Sequence, residues 1–185
     1  MKKYLIILFV CLIFVTKLTA QEEASVEKSI FGIQVGEMGV WVNNEIKLLN
    51  TIALRSEIGF NATNRTIVDF FIVPKHKIRI PLIVTVEPRY YFELKRRHSK
   101  GLSIANNSAT FISVKINHEA GWLMLAGKQP SNIQIIPTYA VRRNIGKHFN
   151  YEVGGGVGYQ YTFTSIEKEN EVLAFNLVLR IGYTF

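Results

Sequence analysis

The histidines are the side chains best suited to acid–base chemistry, and their positions do not predict a catalytic site. Acyl transfer needs a nucleophile, a histidine base and an orienting carboxylate brought together. His118 and Glu119 are neighbours in the sequence, so on a strand they would face opposite ways. His76, His98 and His148 fall in predicted connections without an evident serine partner, and the histidines lack metal-ligand spacing. We therefore expect no enzyme activity, no metal and no cofactor.

The glycine run Gly154-Gly155-Gly156-Val157-Gly158 could suggest a phosphate-binding loop. It lacks the G-x-G-x-x-G spacing of a dinucleotide fingerprint, and no helix is predicted after it. We interpret the run as part of a strand, in which the glycines leave room for Arg142 and Arg180 from the flanking strands.

Nine charged residues of both signs lie on the polar faces of segments that alternate polar and apolar positions. If these faces meet in a confined interior, the charges form either a salt-bridged core or a narrow path for ions, and we favour the core. The nine are Arg55, Glu57, Glu87, Arg89, Lys115, Glu119, Arg142, Glu152 and Arg180.

A basic cluster lies in the long connection 62–81, where Lys75, Lys77 and Arg79 follow one another closely. Positive charge on a loop attracts phosphate groups. The cluster is interpreted as a contact for anionic lipid headgroups or as an ordinary solvated loop.

The element that must position these side chains is the β-strand. From Leu173 to Phe185 every odd-numbered residue is large and apolar, whereas the even-numbered ones include Asn176, Arg180 and Thr184. Successive side chains of a strand point to opposite faces, so one face of this segment is apolar throughout. The same alternation recurs upstream, including the stretch 82–95, and no helix-length apolar stretch follows residue 20.

We count eight strands, and an even number returns both ends of the chain to one side of a closed barrel. The predicted strands are 30–36, 38–47, 50–61, 82–95, 108–119, 133–143, 150–164 and 172–185. The connection from Arg96 to Asn107 is long enough for local structure of its own.

In the first hairpin the apolar positions change from odd to even numbers. A tight turn at Gly36-Glu37, with Val35 opposite Met38, explains this change; one long strand with a bulge is the alternative.

The first 20 residues predict a cleaved signal peptide. Lys2 and Lys3 precede an apolar run from Tyr4 to Val15, and Ala20 offers a cleavage point. That run is too short to cross a bilayer as a helix, which needs about 20 apolar residues. Cys11, the chain's single cysteine, lies within the run, so the mature domain would have no disulfide. We predict a signal peptide over 1–20 and one barrel domain over 21–185.

The formal net charge of the chain is +8, from 22 basic and 14 acidic residues. Removal of residues 1–20 takes away three lysines (Lys2, Lys3 and Lys17) and leaves 19 basic residues against 14 acidic ones, a net charge of +5. An exported chain of this charge is expected to meet acidic lipid headgroups and no nucleic acid.

Alternation alone does not say whether the apolar face of a barrel points outward to lipid or inward to a soluble core. Three features favour the outward direction. The polar faces carry charges of both signs and many glycines, which would pack nothing on a soluble surface. Aromatic residues gather near the ends of the apolar faces, as in membrane girdles. The chain is also predicted to be exported and ends in a strand.

The terminal segment Leu179-Arg-Ile-Gly-Tyr-Thr-Phe185 resembles the last strand of Gram-negative outer-membrane proteins. Glu87-Pro-Arg-Tyr-Tyr-Phe and Arg143-Asn-Ile-Gly-Lys-His-Phe-Asn-Tyr are similar to stretches of small OmpA/OmpX-type barrels. The resemblance implies an all-β fold, an eight-stranded antiparallel transmembrane barrel in the cell outer membrane. It also implies that Tyr183 and Phe185 belong to the signal read by the outer-membrane assembly machinery. It transfers no catalytic residue.

These interpretations lead to a functional expectation. We expect a monomeric outer-membrane barrel with a structural, envelope-integrity or surface-adhesion role, in contact with outer-membrane lipids and lipopolysaccharide. A narrow channel or small-solute transporter is the main alternative, and a lipid A-modifying acyl-transfer enzyme is a distant third.

Overall fold

In the computed structural model the chain forms a closed antiparallel barrel of eight strands in which each strand pairs with its sequence neighbours and β1 pairs with β8. The structure describes residues 24–37, 39–61, 81–120, 131–163 and 171–185. The strands are β1 (Ser29–Gly36), β2 (Gly39–Leu49), β3 (Ile52–Asn61), β4 (Leu82–Tyr90), β5 (Thr110–Ala120), β6 (Asn132–Ile145), β7 (Phe149–Thr162) and β8 (Glu171–Thr184). The predicted all-β fold of eight antiparallel strands is confirmed.

Two short helical segments lie between β4 and β5: α1 (Leu94–Ser99) and a single 3-10 turn (Ala105–Asn107). None of the helices in the described part of the chain has the length and apolar character needed to span a bilayer.

The barrel has two ends, which we name by what connects the strands there. The base holds the connections 50–51, 91–109 and 146–148 together with residue 185, and the mouth holds the β1–β2 turn and the ends of β3, β5 and β7. The predicted signal peptide and the connections 62–80, 121–130 and 164–170 lie outside the described residues.

The alternation of each strand separates an apolar exterior from a polar interior. In β8, Phe175, Leu177, Leu179 and Ile181 are exposed, whereas Arg180 is buried. The other strands repeat this pattern because a strand's period of two matches the barrel's two faces.

The first hairpin corrects our predicted register. Val35 pairs with Val40 and Gly36 with Gly39, so the turn begins after Gly36 rather than at Gly36-Glu37, and the partner of Val35 is Val40. Glu37 has a φ of 47°, which a tight hairpin turn requires because its twist matches that of the strands. Each odd-numbered residue of β1 pairs with an even-numbered residue of β2, as Val35 does with Val40. The apolar positions therefore change from odd to even numbers.

The fourth strand also ends earlier than we predicted. β4 stops at Tyr90 rather than residue 95, and Leu94 is fully buried at the start of α1 instead of lying on the outer face. Leu94 packs in a cluster at the base with Tyr91, Phe111 and Val26. Burial in this cluster outweighs the alternation that Leu94 continues in the sequence. The structure confirms that the long connection contains local structure.

The glycines of β7 lie close to the backbone of β6. A Cβ added at Gly158 would lie 2.0 Å from the carbonyl oxygen of Ile135, and one added at Gly156 would lie 2.2 Å from that of Pro137. The closest atoms therefore belong to the backbone of Ile135 and Pro137 on β6. These glycines allow the backbones of β6 and β7 to approach closely.

Candidate functional site

The most concentrated chemistry in the described residues is a network of eight charged side chains in the barrel interior. Each of the eight has 3% or less of its surface exposed. Its members are Arg55, Arg89, Arg142, Arg180, Glu45, Glu57, Glu87 and Glu152. Because buried charges are costly unless they are paired, their partners determine whether the barrel is stable.

Glu152 on β7 is the centre of this network. Its carboxylate accepts hydrogen bonds from Arg55 at 2.9 Å and from Arg89 at 3.1 and 3.2 Å, and it lies 3.5 Å from the guanidinium of Arg142. Arg55 and Arg89 are on β3 and β4, which are not neighbours of β7. These ion pairs therefore cross the interior and tie opposite walls together.

Glu57 joins the mouth side of the network. It forms ion pairs with Arg55 at 2.5 Å and with Arg180 at 2.9 Å. Arg180 also reaches Glu37 in the β1–β2 turn at 3.4 Å and stacks over the ring of Trp41 at 3.9 Å. A guanidinium can combine a bidentate ion pair with stacking because it is planar.

Glu45 joins the base side of the network. Its carboxylate accepts hydrogen bonds from the hydroxyl of Tyr91 at 2.7 Å and from the side-chain amide of Asn107 at 2.6 Å, and Arg142 lies 3.3 Å away. Arg89 stacks over the Phe111 ring at 4.3 Å. The ionic network thus packs against the buried apolar cluster at the base.

The base is covered by two segments outside the strands. The backbone N–H of Val26 donates to Asn50 at 2.8 Å, and that of Glu27 donates to the Asn107 side chain at 2.8 Å. Side chains of Val26, Leu94 and Ala109 are buried in the base cluster, with Ile104 packed against it. Residues 24–28 and 91–109 therefore close this end of the barrel with apolar and hydrogen-bonded contacts.

The half of the interior toward the mouth has a different chemistry. A ladder of neutral side chains crosses four strands: Thr85 donates to Asn117 at 2.8 Å, Asn117 to Gln134 at 3.2 Å, and Gln134 to Gln160 at 2.8 Å. The three amide residues are only partly buried although they lie on the interior face. The space that they line therefore has some access to solvent.

Lys115 and Glu119, both on β5, complete the nine charges predicted to lie inward, and each is 5% exposed. Glu119 accepts a hydrogen bond from Asn132 at 2.7 Å. Among the described residues Lys115 makes no ion pair or hydrogen bond, and it interacts at longer electrostatic range with Arg180 and with the carboxylates of Glu57, Glu87 and Glu37. All nine predicted charges lie in the interior, and eight of them have a polar partner within hydrogen-bond or ion-pair distance.

Several interior residues were missing from our sequence-based set. Glu45 and Tyr91 are the most important of these, both fully buried. Glu45 could have been found from alternation, because it shares the odd-numbered face of β2 with Trp41 and Asn43. The contribution of Asn107 had no signal in the sequence, since it depends on how the connection folds under the barrel.

The two aromatic residues of the proposed assembly signal lie on the barrel exterior at the base. Tyr183 and Phe185 pack edge to face at 5.2 Å, and Tyr183 also contacts Phe149 at 5.3 Å. The predicted loop residues Lys75, Lys77 and Arg79 lie outside the described residues.

The described histidines are dispersed. His118 is exposed on the outer face of β5 whereas Glu119 is buried. His148 stacks on Tyr183, with its Nδ1 3.0 Å from the carbonyl oxygen of Thr184, and His98 is exposed on α1. Within the described ranges no group of three or more His, Cys, Asp or Glu side chains is placed to hold a metal ion.

In comparisons with known proteins, no family model, no curated protein and no solved structure matches the chain.

Proposed function

We propose that this protein is an integral barrel of the bacterial outer membrane, held in the bilayer by its exterior side chains. The observation that carries the proposal is the inverted distribution of polarity. Exterior residues such as Leu179 (58% exposed) and Ile181 (62%) are apolar, whereas Arg55 and Glu152 are fully buried. A continuous apolar surface of this kind is not stable in water and marks a membrane or protein contact. Lipid around the barrel would cover this apolar surface on every side.

The dimensions of the strands support the same proposal. A transmembrane strand needs about 9–11 residues, and β6, β7 and β8 have 14 residues each. Exterior aromatic residues lie at both ends of the barrel: Phe31, Tyr183 and Phe185 at the base, and Tyr161 and Phe163 at the mouth. Aromatic girdles at two levels are typical of barrels whose ends meet the lipid headgroups.

The proposed role is structural, in envelope integrity or surface adhesion. The ionic network and the covered base favour a filled barrel over a continuous pore, because eight strands enclose a lumen that side chains can fill. Conductance in planar bilayers tests this: we expect no large stable channels, and their presence would favour the channel or transporter alternative. A deletion strain with altered lipid A in mass analysis would favour the acyl-transfer enzyme instead.

The proposal includes the route to the membrane. Residues 1–20 would direct export, and the outer-membrane assembly machinery would read the last strand with Tyr183 and Phe185. Deletion of Phe185 is expected to leave the exported chain in the periplasm, whereas deletion of Glu22 should not. At the mouth, Lys75, Lys77 and Arg79 would contact lipopolysaccharide phosphates, and the barrel would act as a monomer.

Cell fractionation with surface proteolysis tests location and orientation together. We would insert one protease-cleavable tag in the connection 121–130 at the mouth and a matched tag at Gly146 in the β6–β7 turn at the base. In intact cells the mouth tag should be cleaved and the base tag protected, with both variants in the outer-membrane fraction. Recovery of the protein in the soluble fraction without detergent would contradict membrane insertion. Cleavage of the base tag alone would show the opposite orientation.

A further inference from the structure

We propose that the barrel exterior binds one anionic phospholipid, with an acyl chain in a groove on the outer face and the phosphate beside arginines at the base. The groove has a volume of about 650 Å³, within the range of about 300–1,000 Å³ that is typical of ligand sites. It is lined by Pro88, Val114 and Pro137, with Tyr90 and Tyr139 two residues nearer the base. The site rests on the proposed membrane insertion, since lipid must surround the barrel.

Small side chains and interrupted strand pairing shape this groove. The pairing of β4 with β5 is interrupted at Pro88, and that of β6 with β7 is interrupted at Pro137. Proline has no N–H with which to continue a ladder of hydrogen bonds. Gly155, which also lines the groove, is exposed on the outer face of β7 and has no side chain to fill it. The groove is therefore a depression in a surface otherwise covered by larger apolar side chains.

The outer faces of β6 and β7 connect the groove to the base through three successive residue pairs. The pairs are Tyr139 with Gly155, Val141 with Val153, and Arg143 with Tyr151. The middle pair is apolar, so an acyl chain can lie along it. The guanidinium-bearing residue Arg143 is four residues from the groove, about 13 Å along the strand at about 3.3 Å per residue.

Three arginines at this end of the path share one carboxylate. Glu93 forms ion pairs with Arg96 and, at 3.5 Å, with Arg143. Partial burial and the charge of Arg143 lower the pKa of the Arg97 guanidinium below its ordinary value. The Nε of Arg97 has no hydrogen-bond partner among the described residues. Three arginines against one glutamate leave an excess of two positive charges, which a second anion would reduce.

The groove is also continuous with the segment that carries two of these arginines. The ring of Phe92 lies 6.4 Å from that of Tyr90 and 6.3 Å from that of Tyr139, so it packs at the base end of the groove. Residue 93 follows directly, and α1 begins at Leu94. The groove and the cations of α1 therefore belong to one surface.

Charge and shape together identify the class of ligand. A planar guanidinium group binds phosphate oxygens through paired hydrogen bonds, and a basic group at one side of a membrane attracts acidic lipid headgroups. An anionic phospholipid joins a phosphate to long apolar chains in one molecule. A free phosphate would leave the groove empty, and an uncharged lipid would leave the arginines without a second anion.

Native mass spectrometry tests the site with the full chain folded in detergent and offered equal amounts of phosphatidylglycerol and phosphatidylcholine. We expect one phospholipid per chain, with phosphatidylglycerol in excess. Arg96→Gln should lower that preference about five-fold, the effect of one cation near an acidic lipid surface. Lys28→Gln should leave the preference unchanged, because Lys28 is exposed next to β1, four strands away from β5 around the barrel.

Val114→Phe tests the groove separately from the charge. The larger ring would fill the space that the acyl chain needs, so retention of both phospholipids should be lost. Val40→Phe makes the same change at an exposed position on β2 outside the groove and should retain both. Heat-dependent gel migration would check that each variant is folded, and if Val114→Phe does not fold, Val114→Leu replaces it.

The site would be overturned by equal retention of the two phospholipids in the wild-type chain, by an unchanged preference in Arg96→Gln, or by full retention in Val114→Phe. A lipid-free dimer in the same spectra would assign the groove to a second copy of the chain and would also overturn it. A chain that fractionates with the outer membrane but shows no preference contradicts this site alone. Recovery of the chain in the soluble fraction contradicts membrane insertion and the site together.

Discussion

Replacement of Glu152 by glutamine tests the ionic network at its centre. Glu152→Gln keeps the size of the side chain and removes the negative charge that faces Arg55, Arg89 and Arg142 at 2.9 to 3.5 Å. All three guanidinium groups are buried, so solvent cannot replace the lost carboxylate. Removal of one partner from a buried ion pair typically costs about 3–5 kcal/mol, and we expect a loss of that size in the free energy of unfolding.

Reversible urea unfolding of the barrel in phospholipid vesicles measures this loss. The transition can be followed by tryptophan fluorescence and by heat-dependent gel migration, with the slope of the free energy against urea compared between variants. Glu27→Gln is the matched control, because Glu27 is exposed and accepts a backbone N–H at the base. That change should cost under about 1 kcal/mol. A similarly small cost for Glu152→Gln would refute the reasoning that Glu152 neutralises three buried arginines.

Three further predictions concern packing, the exterior and pH. Gly158→Val should prevent barrel formation, because a Cβ at this position would lie 2.0 Å from the Ile135 carbonyl oxygen. Gly155→Ala should fold, because the atom nearest to its Cβ would be 3.3 Å away. Heat-dependent gel migration of both variants tests this. Leu177→Arg should cost about 2–4 kcal/mol in vesicles if this exterior position faces lipid, and a cost near zero in urea unfolding would contradict the proposed belt. Glu93→Gln should make the free energy of unfolding of the barrel depend less on pH in the acid range.

The pH prediction follows from the contacts of Glu93 in the base connection. A hydrogen bond from the Thr110 hydroxyl, together with the charges of Arg96 and Arg143, lowers the pKa of the Glu93 carboxyl below its ordinary value. The stabilisation is therefore complete above the unfolded-state pKa, about 4.3, and is lost as the pH falls through the folded-state pKa. Urea unfolding between pH 3 and 6, about the ordinary titration range of a carboxyl group, should show a steeper acid loss in the wild-type chain than in Glu93→Gln. Equal slopes would contradict the assignment.

Much of the barrel could be predicted from the sequence because strand alternation is a local property. A residue such as Arg180 between Leu179 and Ile181 reveals which face it occupies without knowledge of its partners. The number of strands and the shared face of the nine charges followed from that period, whereas the inward direction of that face followed from its mixed charges and its glycines. The end of β4 did not, because Leu94 continues the apolar alternation but is buried in the base cluster.

Only the tertiary structure decided which charges meet. Arg55 and Glu152 are 97 residues apart and on strands that are not adjacent, so their contact depends on closure of the barrel and on the register of every intervening strand pair. Closure likewise paired the four arginines, whereas among the described residues it left Lys115 without a hydrogen bond or ion pair and at longer range from Glu57 and Glu87. Local alternation separates the side chains of a strand into two faces, whereas the ion pairs depend on the three-dimensional path of the whole chain.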